Sequence, residues 1–482
     1  MKVLSKTLIT ESEKNAVSSG AFSWVELMGT AGNTAAKLID KRFECVNKRI
    51  LILCGNGNNG GDGFVAANYF YEHGANVEIF LPLGLPQTEN ALYYYNALKG
   101  VKILNSISDN YDIVIDAVFG IGLNRDMSEE LNSLFDKVNS FNSLRVAIDV
   151  PSGVEADSGK ALGTVFDADF TVTFIALKPC FLLPPASDFC GETIVADIGV
   201  ATNNFSYSVI SAPSFPKRRH NSHKGTYGTA LLICGSYGMV GAAMLSAKAC
   251  LRSGVGIAKC VLCESVYPAF TSAVPEAVCV PTKQNDCGTF KAEFVDTKNL
   301  LEKASAVLFG CGVGKSEDIG KILEKLITSS SVPIILDADG INALACNIDL
   351  LKESKAPVII TPHPAEMGRL CQKSVAEVEA DRIGTARDFA TKHNLTVVLK
   401  GANTIIASPD GKISFNILGN TGMAKGGCGD VLSGIMVSLL AQGLPVKQAV
   451  EGAVYLHSLA GDKAASKKGE RQMLPSDIID EL

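Results

Sequence analysis

The sequence carries no excess of basic charge. Its 44 lysines and arginines face 50 aspartates and glutamates, a formal net charge of -6, so it lacks the electrostatic footprint of a nucleic-acid binder. No run of about 18 apolar residues escapes interruption by charge or glycine, which argues against a membrane-spanning helix. The first residues, MKVLSKTLITESEKNAV, have no apolar core of signal-peptide length ahead of their acidic residues, and the chain is expected in the cytoplasm. Nor are its 14 cysteines grouped. The one Cys-x-x-Cys, Cys260 to Cys263 in GIAKCVLCESV, falls on an expected strand, where residues three apart face opposite sides and cannot converge on one metal. Buried free thiols are therefore expected in place of disulfides or a zinc site. The second half shows no repeat of the first.

What is plentiful is glycine, 45 residues, many of them just after apolar runs. That is the mark of strand-to-helix turns in an α/β chain. A length of 482 residues exceeds one ordinary core, and two domains of roughly 200 to 250 residues are expected. In the first half RILILC, NVEIFL, YDIVIDAVF, RVAIDV and DFTVTFIAL alternate with helical periods, which predicts a doubly wound, mostly parallel sheet. Ligands then belong beyond the carboxyl ends of its strands. The pattern fades near residue 200, and NNFSYSVISAPSFPKRRHNS, residues 203–222, has a linker's composition. A second alternation follows: TALLICGS, GIAKCVLC, EAVCVP, SAVLFG, VPIILDAD, PVIITP and TVVLKG. Two different three-layer α/β domains are expected, over 1–212 and 213–482.

In ILILCGNGNNGGDGFVAANYF, Gly55, Gly57 and Gly60 satisfy G-x-G-x-x-G between a strand and a helix. The acidic residue that should close the next strand is poorly supplied by Glu78, amid apolar neighbours, and glycines needed only for a tight turn would look the same. Two further strand ends strengthen the functional reading. DAVFGIGLNRD sets Asp116 at a strand end before a second glycine loop with Arg125, and AIDVPSGV sets Asp149 at another with Ser152 in the turn beyond. In a parallel sheet these ends share a crevice. Carboxylates beside phosphate repel it unless a cation or proton intervenes. Asn59, Asp116, Ser152 and backbone carbonyls are hard oxygen donors that suit a cation of loose geometry.

Together GNGNNGGDG, DAVFGIGLNRD and AIDVPSGV resemble the NAD(P)H-hydrate epimerase domain, a Rossmann-like fold. The resemblance implies that Asn58, Asn59, Gly60, Gly61 and Asp62, with Gly120, Ile121, Gly122, Leu123, Asn124, Arg125 and Asp126, bind substrate. It also implies that Asp149 serves the reacting centre and that Asn59, Asp116 and Ser152 hold potassium. The substrate implied is NADH or NADPH hydrated on its nicotinamide ring, with a hydroxyl on C6 of either configuration. Inverting that centre requires proton transfer. A carboxylate that merely caps the next turn is the plainer alternative for Asp149.

In the second half NTGMAKGGCGDVLSGIMVSLL places Gly426, Gly427 and Gly429 around the start of an apolar helix, so free amides face an incoming phosphate. Asp430 stands where it can take a proton from an attacking hydroxyl, as in phosphoryl transfer. An N-cap aspartate is the alternative. His363, between two prolines in TPHPAEM, is presented at a strand end either to a ligand or to stiffen its turn. These stretches, with HKGTYGTALLICGS, GMVGAA and VVLKGANTII, resemble the ribokinase-like superfamily and, within it, the NAD(P)H-hydrate dehydratases. The family often has glycine where Ala365 stands and serine or threonine where Cys428 stands. The resemblance implies nucleotide contacts at Lys400, Gly401, Ala402, Asn403, Thr404 and Gly429. Hydrate contacts fall to Ala242, Gly312, His363 and Asp430, with Asp430 catalytic. ADP is the expected phosphoryl donor, with magnesium, inferred from the fusion. Small-molecule substrates and a homo-oligomer complete the expectation. A vitamin-precursor kinase joined to a non-catalytic nucleotide-binding or scaffolding domain is the rival arrangement.

Overall fold

The run Arg49–Cys54 is a strand because both its faces find apolar cover. Ile50, Ile52 and Cys54 pack with Ala35, Ile39, Phe64 and Phe70, whereas Leu51 and Leu53 pack with Leu131, Phe135 and Val138. Period-two alternation thus divides one strand between two helical layers. On one side lie helices Trp24–Phe43 and Asn58–Glu72, and on the other Glu129–Asn139. The computed structural model describes residues 2–202 and 205–482, which divide into compact units at Ser208/Val209.

The strands of the first unit are β1 (Lys2–Val3), β2 (Arg49–Cys54), β3 (Asn76–Phe80), β4 (Lys102–Leu104), β5 (Ile113–Ala117), β6 (Leu144–Ile148), β7 (Phe170–Phe174) and β8 (Glu192–Ala196). The main sheet runs 4-3-2-5-6-7-8, parallel throughout. Its order reverses at β2, between β3 and β5, so the crevice beyond the carboxyl ends of β2 and β5 is the place for a ligand. Helix Trp24–Phe43 starts from a capping box in which Ser23 Oγ accepts from Glu26 N at 3.2 Å and Glu26 Oε2 accepts from Ser23 N at 2.7 Å. Such a cap contributes about 1 kcal/mol. The expected linker is not wholly irregular. Asn203 and Asn204 lie outside the described residues, but β9 (Tyr207–Val209) pairs antiparallel with β1, setting Lys2 opposite Ser208. Parallel pairing persists to β8, which ends just before the point near residue 200 where the sequence pattern fades.

The second unit holds β10 (Thr229–Ile233), β11 (Ile257–Cys263), β12 (Val278–Thr282), β13 (Ala306–Phe309), β14 (Ile334–Leu336), β15 (Val358–Ile360), β16 (Thr396–Leu399), β17 (Ile405–Ala407) and β18 (Ile413–Phe415). They lie in the order 12-11-10-13-14-15-16-17-18. The pairs are parallel from β12 to β16 and antiparallel from β16 to β18. Helix Cys428–Ala441 is buried along nearly its whole length. It crosses helix Val240–Arg252 at Gly434, where a Cβ would run into the Ser246 carbonyl. Among the described residues no helix is long and apolar enough to cross a membrane. All the cysteines are free, and Cys260 and Cys263 are both buried.

Candidate active sites

Strand β6 ends at Ile148, and Asp149 turns the chain with φ 70°. This is a left-handed conformation that aspartate and asparagine tolerate better than other side-chain-bearing residues. The turn sends the carboxylate into a cavity of about 470 Å³ lined by Asn58, Asn59 and Asp62 from the second strand-to-helix turn, by Gly120 to Leu123, and by Glu13 and Lys178. Lys178 is fully buried. Its Nζ donates to Asp149 Oδ1 at 2.7 Å, Thr173 Oγ1 at 2.6 Å and the Phe174 carbonyl at 3.0 Å, which accounts for all three ammonium protons. Asp149 Oδ2 accepts from Ile121 N at 3.1 Å. A Cβ at Gly120 would stand 2.5 Å from that oxygen and 3.5 Å from Asn59 Cγ, so glycine is what lets the loop close over both.

Other carboxyls share the cavity. Burial, then the Asp149 charge, pushes Glu13 up to about 7. Burial followed by Asp149 and Glu13 raises Asp62 well above the usual carboxylate range. Beneath the cavity Asp116 is wholly buried. It accepts from Val118 N at 3.0 Å, Ser152 N at 2.7 Å and Ser152 Oγ at 2.8 Å. Burial pushes Asp116 up to about 6 even though these bonds oppose it. Asn59 Nδ2 donates to the Ile148 carbonyl at 3.2 Å, which leaves Asn59 Oδ1 buried without a partner. An orphaned amide oxygen and a costly buried carboxylate are what a bound cation would relieve.

The expected contacts do not all converge. Gly120, Ile121, Gly122 and Leu123 line the cavity, but Asn124, Arg125 and Asp126 are exposed and do not. Asn58 to Asp62 form the first turn of helix Asn58–Glu72, so only the start of the glycine-rich stretch is a loop. Glu78 bonds Lys102 Nζ at 3.0 Å and Tyr111 Oη at 2.9 Å, and is thus engaged elsewhere.

In the second unit a carboxylate pair organises the site. Cys311, Asp337 and Asp430 bring one ligand atom each within 4.8 Å of one another. Asp337 Oδ1 accepts from Lys400 Nζ and from Ala338 N, both at 2.9 Å, and Oδ2 from Ser433 Oγ at 2.7 Å. Burial works against the charge on Asp337, but Lys400 and these hydrogen bonds override it and hold the group below the usual range. Asp430, at the start of helix Cys428–Ala441, is helped only by the Cys311 thiol and the Lys400 charge, which do not prevail. Burial, then the Asp337 charge, pushes it up to about 6. Two neighbouring carboxyls are thus driven apart, one held anionic and the other raised toward neutrality. The Lys400 ammonium already supplies the positive charge that a metal would bring to the cluster.

Gly312, with φ 64°, sits against Ala242. A Cβ on the glycine would lie 3.0 Å from the alanine's, and the thiol of the adjacent Cys311 donates to Asp337 Oδ2 at 3.7 Å. A Cβ at Gly429 would lie 3.3 Å from Lys400 Nζ. Lys400 therefore belongs to the carboxylate cluster as well as to the 400–404 turn, where Gly401, Ala402, Asn403 and Thr404 are at least partly open to solvent. His363 caps helix Pro364–Cys371: its Nδ1 accepts from Ala365 N at 3.2 Å, and His363 N donates to Glu366 Oε2 at 2.9 Å. Its ring stays nearly half exposed, 3.4 Å from Glu366 Oε1, and Lys400 N reaches the neighbouring Pro362 carbonyl at 2.8 Å. Sequence reasoning missed Glu13, Lys178 and Asp337. Of these only Asp337, in the strand end PIILDADG, carried a usable signal.

These features define a two-unit α/β enzyme class, a Rossmann-like unit followed by a ribokinase-like one. Residues 25–180 match the family described as YjeF-related protein N-terminus, and residues 230–482 match NAD(P)H-hydrate dehydratase. The bifunctional NAD(P)H-hydrate repair enzyme Nnr of Moorella thermoacetica is 35% identical over 95% of this chain and 91% of its own length. Its Coxiella burnetii counterpart is also 35% identical, over 98% and 97%. An ADP/ATP-dependent NAD(P)H-hydrate dehydratase structure from Bacillus subtilis, co-crystallized with ATP and Mg2+, is 33% identical. It covers 55% of this chain and 91% of its own, with a TM-score of 0.49. The chain belongs to the family of bifunctional NAD(P)H-hydrate repair enzymes.

Proposed function

We propose that residues 1–212 interconvert the R and S epimers of hydrated NADH and NADPH, and that residues 213–482 dehydrate the S epimer with ADP as phosphoryl donor, releasing AMP and phosphate. The observation that carries this reading is one cluster of carboxylates in each unit: Asp149 at the end of β6, held by Lys178, and Asp430 at a helix start, set against the strand-end Asp337. In the first, Asp149 moves a proton at the C6 hydroxyl while Asn58 to Asp62 and Gly120 to Leu123 hold the hydrate. Asn59 Oδ1, Asp116 and Ser152 fit potassium, which when bound would supply a positive charge beneath the anionic cavity. In the second, Asp430 removes the proton from the substrate hydroxyl as oxygen attacks phosphorus, and the glycine amides at the helix start receive the phosphate. Phosphate, a better leaving group than hydroxide, then leaves with electron release from the ring nitrogen, and loss of a proton from C5 restores the C5=C6 double bond of the dihydronicotinamide. Lys400 to Thr404 and Gly429 adjoin the nucleotide, and Ala242, Gly312 and His363 the hydrate. Magnesium accompanies the nucleotide.

The test is incubation with mixed hydrate epimers and ADP, with ATP, or with neither, following recovery of the reduced nicotinamide absorbance. Nucleotide-dependent, nearly complete recovery is expected. Recovery limited to one epimer would sink the epimerase half, and none at all would sink the dehydratase half.

A further inference from the structure

Inverting a hydroxyl-bearing carbon by loss and return of water calls for two proton-transfer groups, one for each face of the ring. If the hydroxyl leaves as water it must take a proton, while the lone pair on N1 forms the N1=C6 double bond. When water returns to the opposite face, the electron pair goes back to N1 and the new oxygen must lose a proton. A single carboxylate on one side cannot do both at once.

Helix Lys6–Ser18 brings a second carboxyl to the cavity. The helix is pinned at its start: Lys6 N donates to Asp157 Oδ1 at 2.9 Å, and Lys6 Nζ reaches Glu155 Oε1 at 2.7 Å. Leu4 N donates to the Leu177 carbonyl at 2.9 Å. Leu4 and Ile9 pack on Ala176, with Ile121 of the glycine loop against the same cluster. Ile9, Thr10 and Glu13 fall on one face of the helix, and all three line the cavity that holds Asp149, Lys178 and Asp62. No hydrogen bond or ion pair from the described residues engages the Glu13 carboxyl. Asp149, by contrast, is held by Lys178 and Ile121. One carboxyl is anchored and the other is free to meet a ligand. One bond from Lys178 and one from Ile121 N fix the anchored one to a single wall, and the free one comes from a different element.

We propose that Glu13 is the second proton-transfer residue of the epimerase site, giving a proton to the departing hydroxyl on one face while Asp149 accepts one from the water arriving on the other, with the roles exchanged in the reverse direction. This rests on assigning epimerisation to this cavity. The charged groups facing Glu13 are Asp149 and Lys178 from the sheet ends and Asp62 from helix Asn58–Glu72. Burial and the Asp149 charge hold Glu13 protonated up to about pH 7. Above that Glu13 is ionised and can no longer donate, so the rate must fall as pH rises.

The experiment follows R-to-S interconversion by the full-length protein without nucleotide, from about pH 5 to about pH 9. Wild type should lose rate as pH rises through about 7. Glu13→Gln should be slower by about 10²-fold or more and should show no such fall, whereas Glu13→Asp should keep the fall at part of the rate. A Glu13→Gln protein that retains both wild-type rate and wild-type profile overturns the proposal. So does a result in which Asp62→Asn, and not Glu13→Gln, abolishes the fall, because the donor is then Asp62. Absence of interconversion in wild type itself would instead refute the epimerase reading on which the proposal stands.

Discussion

Lys178 Nζ stands 2.7 Å from Asp149 Oδ1, and its two remaining protons go to Thr173 and the Phe174 carbonyl. The ammonium is therefore a fixture of the protein and not a group that reaches for substrate. Removing it would leave a carboxylate in a buried cavity with no counter-charge. Breaking one partner of a buried pair typically costs about 3–5 kcal/mol. Lys178→Met should accordingly lower the urea unfolding midpoint and abolish epimerisation, and Lys178→Met with Asp149→Asn should regain part of the stability but none of the activity. An unchanged midpoint in the single variant would show that the pair is not a structural clamp.

At the other site, Asp430→Asn should abolish nucleotide-dependent recovery of NADH, a loss of about 10²- to 10⁴-fold, while R and S hydrates continue to interconvert. The wild-type recovery rate should fall as pH drops through about 6, because a base works only when ionised and burial has raised Asp430 to that value. A pH-independent rate across that range would argue against Asp430 as the base.

Epimerisation should respond to potassium and be indifferent to zinc chelators, since Asn59, Asp116 and Ser152 offer only oxygen. The comparison is between potassium and a bulky organic cation at equal ionic strength. Equal rates in the two salts would remove the cation site.

Asp149→Asn in the intact chain should separate the two activities in time. Given mixed epimers and excess ADP, wild type should recover NADH in one smooth phase. The variant should show a fast phase equal to the S fraction and then a remainder limited by spontaneous epimerisation. Adding wild-type protein disabled at Asp430 should restore the single phase, because the hydrate diffuses between sites.

The sheets and their strand ends were legible because parallel strands buried on both faces read as apolar runs, RILILC and VPIILDAD among them. Asp116, Asp149 and Asp430 were legible because each follows such a run or opens a helix. Lys178 was not. It follows β7 in ALKPCF, where a lysine reads as a solvated turn residue, and only the left-handed bend at Asp149 brings a carboxylate to meet it. Glu13 was hidden in the same way among the charges of TESEK, since a helix's own sequence does not say which sheet end its polar face will overhang. The exposure of Arg125 had no sequence signal either. It depends on where the glycine loop turns back toward helix Glu129–Asn139.

The left-handed bend at Asp149 also bears on how this protein can change over generations. Asparagine and glycine are the residues best suited to that backbone besides aspartate, and each is one base change from an aspartate codon. Two of the single-base changes open to Asp149 therefore leave the turn at the end of β6 unstrained. The proton transfer proposed for Asp149 can thus be lost while the cavity walls persist, so a descendant chain could keep the pocket and use it only to hold a ligand.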